Sequence, residues 1–271
     1  MTTLTTDGVL AVAAALDIQT LPTALAMHPR HTDYGQFATA QLAAVSDLHD
    51  RGVLDRTGDV RDEDLTTALF ALAQPERQLI ARILLGNTMS GYTTSNDTMI
   101  RCCLVRRGFD HAVAIRTGDE LDVRMVWADE DPMALARPLL AVLGPCPPAD
   151  IPALSAPTAE LGRYLDAVDA GHTATAPGTG ISESATATLG SALHQQYSSA
   201  EIVCYSHRDG LAVRSRATAA VYDTTAGRII GGGSITADGQ TWTTLAPGSD
   251  HRMAQVIAAL IEALPEGRWM P

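Results

Sequence analysis

The sequence predicts an α+β fold built on antiparallel pairing, and three observations carry that prediction. First, Thr98–Arg106, His111–Arg116 and Glu120–Val126 are β-branched or alternating runs parted by Gly108 and by a Gly118-Asp119 turn, the pattern of a hairpin-connected meander. Hairpins favour an antiparallel sheet over a parallel, doubly wound one. Second, amphipathic helical stretches precede and follow the meander. Third, a gapless shift of 121 residues lays Gly118 on Gly239, Val123 on Thr244, Asp129 on Asp250, Leu135 on Val256, Leu139 on Leu260, Leu140 on Ile261 and Leu143 on Leu264. Both segments read turn, strand, polar break, helix, which predicts two related halves about a pseudo-twofold axis. Pro145, Pro147, Pro148 and Pro152 mark the joint, giving halves of about 1–148 and 149–271 within one domain spanning 1–271.

The elements follow in order. Leu4–Thr6 reads as a short strand, with Asp7 as N-cap of a helix through Leu16. Leu21-Pro22 opens a short turn or helix. Tyr34–Leu48 is a helix with Phe37, Gln41, Ala44 and Leu48 at helical spacing, stopped by Gly52. Val60–Ala73 is the next, striped by Leu65, Leu69 and Leu72 and ended by Pro75. Gln78–Leu85 is a strand, and the loop Gly86–Asp97, rich in Asn, Thr, Ser and Gly, leads to the meander. Pro132–Leu143 is a helix. In the second half, Thr158–Val168 and Ser182–Gln195 read as helices around a Gly/Thr/Ala/Pro loop at Ala170–Gly180. Glu201–Tyr205, Leu211–Ala217, Ala220–Tyr222, Arg228–Ile230 and Thr241–Leu245 read as strands, and Asp250–Leu264 closes the chain as a helix.

Composition excludes several functions. The 271 residues contain no lysine: all 19 basic residues are Arg, against 31 acidic ones, for a net charge of -12. Without lysine there is no P-loop lysine, no Schiff base and no Ser–Lys dyad. An acidic surface repels phosphate backbones and anionic headgroups, so neither nucleic acid nor membrane is an expected partner. The apolar stretch Val9–Leu16 is too short to span a bilayer and lacks the flanks of a signal peptide. Four cysteines (Cys102, Cys103, Cys146, Cys204) make no disulfide framework, so a cytoplasmic protein with reduced thiols is expected.

A search for catalytic motifs returns none. His-Glu-x-x-His, Cys-x-x-Cys, Gly-x-Ser-x-Gly and Walker patterns are absent. Gly231-Gly232-Gly233 stands between strands and reads as a hairpin or bulge. Adjacent Cys102 and Cys103 point to opposite faces of a strand, one expected in the core and the other half-exposed. Ser206-His207-Arg208-Asp209 has triad residue types, but neighbours on a turn cannot hold triad geometry. His28-Pro29-Arg30-His31 reads as a solvated loop. No catalytic residue, metal or cofactor is expected. What remains is recognition by a surface.

The tail then carries a resemblance. Val221-Tyr-Asp-Thr-Thr-Ala-Gly227-Arg228 is followed by Asp238-Gly239-Gln-Thr-Trp242, Pro247-Gly248, a Leu/Ala-rich helix and Leu264-Pro265-x-Gly267-x-Trp269. Leu21-Pro22, Arg51-Gly52-Val53-Leu54-Asp55, Ala73-Gln-Pro75-Glu76-Arg77 and Arg106-Arg107-Gly108 agree in order. The chain is similar to the EspG family, the ESX (type VII) secretion-associated proteins of mycobacteria and related actinobacteria. The resemblance implies a central antiparallel β-sheet flanked by two α-helical bundles in quasi-twofold symmetric halves. It implies a non-enzymatic cytosolic chaperone that binds the helical tip of the PPE subunit in PE–PPE heterodimers, keeps the pair soluble and guides it to its secretion machine.

By region, the resemblance places partner binding on one face of the sheet, on the Gly86–Asp97 loop and on the closing helix. The candidates are Asn87, Thr88, Met89 and Tyr92 in the loop. Val203, Tyr205, Val213, Trp242 and Leu245 would form an apolar centre, and Arg101, Arg214 and Arg216 a polar rim, over about 800 Å2 per partner. The competing reading for each apolar candidate is ordinary core. Two other functions stand as alternatives: a homodimeric structural protein without such a client, and a small-molecule enzyme.

Overall fold

The computed structural model describes residues 2–86, 99–169, 183–236 and 238–271. The first half runs β1 (Thr2–Thr5), α1 (Thr6–Ala15), a 3-10 turn at Thr23–Leu25, α2 (Tyr34–Asp50), α3 (Glu63–Ala73), β2 (Arg77–Leu85), β3 (Met99–Arg107), β4 (Asp110–Thr117), β5 (Glu120–Val126) and α4 (Pro132–Leu143). The second runs β6 (Leu154–Pro157), α5 (Thr158–Asp169), α6 (Glu183–His194), β7 (Gln196–Arg208), β8 (Leu211–Arg214), β9 (Ala219–Thr224), β10 (Gly227–Ile235), β11 (Thr241–Pro247) and α7 (Asp250–Glu262).

The strands form one antiparallel sheet in the order β1-β5-β4-β3-β2-β7-β9-β10-β11-β6, with β8 beside the far end of β7. Counted outward from the β2–β7 pair, the halves match strand for strand: β3 with β9, β4 with β10, β5 with β11, β1 with β6. The quasi-twofold arrangement is therefore real, with its axis at the β2–β7 seam, where Ile80 faces Val203 and Arg82 faces Glu201.

The 121-residue shift holds in the helices and slips in the strands. Leu135 and Leu139 of α4 and Val256 and Leu260 of α7 share one core. Val123, however, lies in the core under α1–α3. Thr244 pairs with Gly232, whose missing Cβ would face Val256 on the opposite side of the sheet. The cause is the connection: residues 127–131 join β5 to α4, but only 248 and 249 join β11 to α7.

Other boundaries move for local reasons. Thr5, not Asp7, caps α1: its hydroxyl accepts from the Gly8 amide, and Asp7 within the first turn binds Arg30 at 2.6 Å. β7 extends over 13 residues, far beyond Glu201–Tyr205. Polar Gln196, Ser198 and Ser206 are buried with it, a pattern that hydrophobicity alone does not flag. β8 stops at Arg214, short of Ala217. Strand β6 was not foreseen; it contains one proline and exists through its pairing with β11. Gly231–Gly233 lies inside β10 rather than at a hairpin, and a Cβ on Gly232 would come within 2.8 Å of Val256 Cγ1. Bare backbone there lets α7 press onto the sheet.

Helices α4 and α7 pack against each other over one face of the sheet, burying Leu79, Ile83, Leu104, Val113, Ile202, Val221 and Ile230. On the other face α1–α3 cover the first half, over Cys103, Val105, Ala112 and Ala114. There α5 and α6 cover the second, over Leu154, Ile229 and Leu245. Cys102 and Cys103 do point to opposite faces, but both are buried because helices cover β3 on both sides. Burial pushes both thiols up to about 12.

Two polar clusters lie within this frame. Arg228 at the start of β10 forms a two-pronged pair with Asp223 of β9 (Nε–Oδ1 2.6 Å, Nη2–Oδ2 2.8 Å) and donates to the Gly144 carbonyl at 3.0 Å. Both side chains are under 5% exposed, so the pair ties the joint between the halves to the sheet. At the other end of the chain, Arg77 of β2 donates to Glu266 at 3.1 Å and to the Arg268 carbonyl at 3.0 Å, while Ser206 of β7 donates to Glu266 at 3.0 Å. The tail thus bridges both seam strands. Trp269 is buried, and its Nε1–H donates to His111 Nε2 at 2.9 Å. With Nε2 accepting, the ring proton sits on Nδ1, 3.1 Å from the Phe109 carbonyl, and the imidazole is neutral.

Replacing Asp223 by Ala is expected to cost about 3–5 kcal/mol, because it strands a buried guanidinium; urea unfolding against wild type measures this. Burial holds the His111 pKa below its usual value. Its neutral form therefore stabilises the fold above the unfolded value of about 6.5, and that contribution is lost as pH falls toward the depressed folded value. Burial and Arg77 also lower the pKa of His207, in the same direction. Melting temperature followed by Trp fluorescence should drop as pH is lowered from 7 to 5, less steeply in His111→Gln.

Candidate partner-binding face

The two faces of the sheet are covered differently at the seam. On one, α4 and α7 cross over it. On the other, α3 lies on β3, β4 and β5, α6 on β9, and α5 on β6 and β11. Among the described residues, strands β2 and β7 are left as the floor of a valley between two bundles. Alternation sends Gln78, Ile80, Arg82 and Leu84 of β2 into this valley, joined by Glu201, Val203, Tyr205 and His207 of β7. Arg82 and Glu201 are exposed; Leu84, Val203, Tyr205 and His207 are half-buried. Val203 and Tyr205 pack against the rim of the first-half core, and Tyr222 against that of the second. His207 is fixed by Gln78 at 3.0 Å and lies 6.2 Å from the Tyr205 ring.

One rung of the sheet crosses the valley as Arg116–Arg101–Arg82–Glu201–Ala220. Arg116 donates to the Leu25 carbonyl at 2.8 Å and to that of Gly118 at 3.0 Å, so its guanidinium is held by the 3-10 turn. Glu201 reaches Arg214 of β8 at 3.8 Å. Burial, then the like charges of Arg116 and Arg82, hold the Arg101 pKa below the usual guanidinium value.

Of the residues singled out in the sequence, Arg101, Val203, Tyr205 and Arg214 come together on this face. Val213 does not: it pairs with Ser206, whose hydroxyl meets Glu266 on the opposite side. Arg216 is exposed beyond the end of β8. Trp242 sits three strands away on β11, its Nε1–H donating to Gln240 at 3.1 Å. Leu245 is 3% exposed in the second-half core. Asn87, Thr88, Met89 and Tyr92 lie outside the described residues, as does the whole of the Ala170–Gly180 loop.

Sequence reading missed Arg82, Leu84 and Glu201. The available signal was a lone charge inside the apolar run Leu79–Leu85, but its partner across the seam emerges only from the register.

Chemistry elsewhere is sparse. Among the described residues no three His, Cys, Asp or Glu side chains stand where they could hold a metal. A cleft between α4 and the joint is lined by Cys146, Arg228 and Asp250, but burial raises the Cys146 pKa and Arg228 is committed to Asp223. That is a poor setting for a thiolate nucleophile.

Comparison with known proteins agrees with the architecture. The sequence pattern of the EspG family matches residues 5–259. The ESX-1 secretion-associated protein EspG1 of Mycobacterium marinum is 27% identical, covering 98% of this chain and 89% of its own. The ESX-3 secretion-associated protein EspG3 of Mycolicibacterium smegmatis is 26% identical, covering 99% and 88%. Among solved structures, the type VII secretion system chaperone EspG5 of Mycobacterium tuberculosis, in complex with a PE25–PPE41 dimer, superposes with a TM-score of 0.79. At 21% identity over 99% of this chain and 98% of that one, this likeness speaks for the fold. With the family pattern covering nearly all of its length, the chain belongs to the EspG family.

Proposed function

We propose that this protein is a type VII secretion chaperone acting in the cytoplasm on a PE–PPE heterodimer, with the valley at the β2–β7 seam as the seat for the tip of the PPE subunit. The observation that supports the reading most is the valley itself. It is a strip of sheet with half-buried Leu84, Val203, Tyr205 and Tyr222 and exposed charges, left between two bundles by the described residues of a chain of this family. A helical-hairpin tip with an apolar end fits such a strip: its apolar residues would cover Val203 and Tyr205 while charged neighbours make rim contacts. EspG5, whose fold this chain shares, was solved bound to a PE25–PPE41 dimer. No helix among the described residues is long and apolar enough to cross a membrane.

A strongly acidic carrier suits the task, since its net charge of -12 disfavours self-association while it holds an apolar client.

Co-expression with a PE–PPE pair from the same genome should yield a soluble ternary complex on gel filtration. The pair aggregating or eluting separately would count against the reading. Val203→Asp should weaken the complex by roughly tenfold or more, because it puts a charge at the apolar centre, while the melting temperature shows the sheet still folded.

A further inference from the structure

The rung Arg116–Arg101–Arg82 sets three guanidinium groups directly opposite one another on adjacent strands. Like charges at directly opposed sheet positions destabilise pairing. On the same face the preceding rung holds Ile80, Cys103 and Ala114, which pack well. The chain is poor in basic residues, with 19 against 31 acidic, yet three of them occupy one rung. A fourth, Arg214, stands close by on β8. Among the described residues the acidic member of the rung is Glu201, placed at its β7 end and turned toward Arg214. Arg116 ties the 3-10 turn to the sheet and Arg82 stands opposite Glu201, yet packing does not call for three like charges on one rung, and such a row points to function.

The three members are also held differently. Arg116 is anchored through backbone carbonyls, which fix its position without neutralising its charge. Arg101 is half-buried and Arg82 exposed, so the positive field opens toward the valley floor. The Arg101 pKa is depressed first by burial and then by the charges of Arg116 and Arg82. Planar, always-charged forks in a partly desolvated strip suit a carboxylate.

We propose that the Arg82–Arg101–Arg116 row is a carboxylate seat, which recognises an Asp or Glu side chain on the tip of the PE–PPE client and sets its register along the valley. This rests on the chaperone reading above. Glu201 at the β7 end of the row then excludes the same acidic group from the second half, so the client docks off the pseudo-twofold axis and in one orientation.

The test uses the full-length protein and a PE–PPE pair that co-purifies with it, with affinities measured by calorimetry at 50 and 500 mM NaCl. Arg82→Glu should weaken binding by about tenfold or more at low salt, and high salt should shrink the difference. Glu201→Gln should leave binding equal or tighter. Changing one acidic residue of the PPE tip to Lys should restore affinity to Arg82→Glu. Arg82 is exposed, and unchanged melting temperatures in the variants would show that folding is not at issue. If wild type binds the pair but Arg82→Glu binds equally well at both salt concentrations, the carboxylate seat is wrong and the chaperone reading stands. If wild type binds no PE–PPE pair, both fall.

Discussion

The pairing of β2 with β7 is the interaction on which the rest depends. It joins two self-contained half-sheets into one, and it runs through nine residues of β2 without a break in register. Because the join lies at the centre, each half must cover its own flank, and among the described residues the seam is crossed by helices on one face, where α4 and α7 meet. On the opposite face, among the described residues, α3 is centred on β4 and β5 and α6 on β9, so Ile80 is buried at the edge of the first-half core while Arg82, Leu84, Glu201, Val203 and Tyr205 keep some exposure. The same constraint explains why the tail is pinned to Arg77 and Ser206, one residue from each seam strand. A join this central is reinforced from outside the sheet as well as within it.

Charge organisation follows from the same layout. The fully buried pair Arg228–Asp223 carries a structural duty at the joint, where neither member is available to a partner. The arginines of the valley are half-buried or exposed and stand beside a strip of apolar side chains. Two populations of arginine thus coexist, one buried against a carboxylate inside the fold and one half-buried or exposed at the surface. The absence of lysine makes the second population planar forks throughout.

Much of this was legible in the sequence, and what was not has specific causes. The meander, the helices and the doubled α4/α7 pattern followed from periodicity, since Leu135, Leu139, Val256 and Leu260 obey helical spacing and the turns carry glycine. The halves were visible because each ends in the same strand-helix order. The seam was not: β7 buries Gln196, Ser198 and Ser206, so its length is dictated by pairing with β2 and β9. The candidate face was half legible. Val203, Tyr205, Arg101 and Arg214 were named from residue type and region, whereas Val213 was assigned without knowing which side of the sheet it faced, and Leu245 lies on the valley side but under the second-half core. A slip of one residue reverses the face, and Val213 stands beside Arg214.

The closure of each half by its own first strand has a consequence for how the chain comes into being. β1 returns to pair with β5, and β6 with β11, so each half-sheet is completed from sequence within that half. The strands of the first half can therefore pair as the chain leaves the ribosome, before β7 is made, although α4 waits for α7. Until then the edge of β2 is open, with its amides and carbonyls unpaired and Ile80, Ile83 and Leu84 beside them. An unpaired apolar edge is a template for wrong strands as well as right ones. The charged side chain of Arg82 in the middle of β2 interrupts that edge, as gatekeeper residues do. The residue that faces the valley in the finished protein thereby also guards the nascent one.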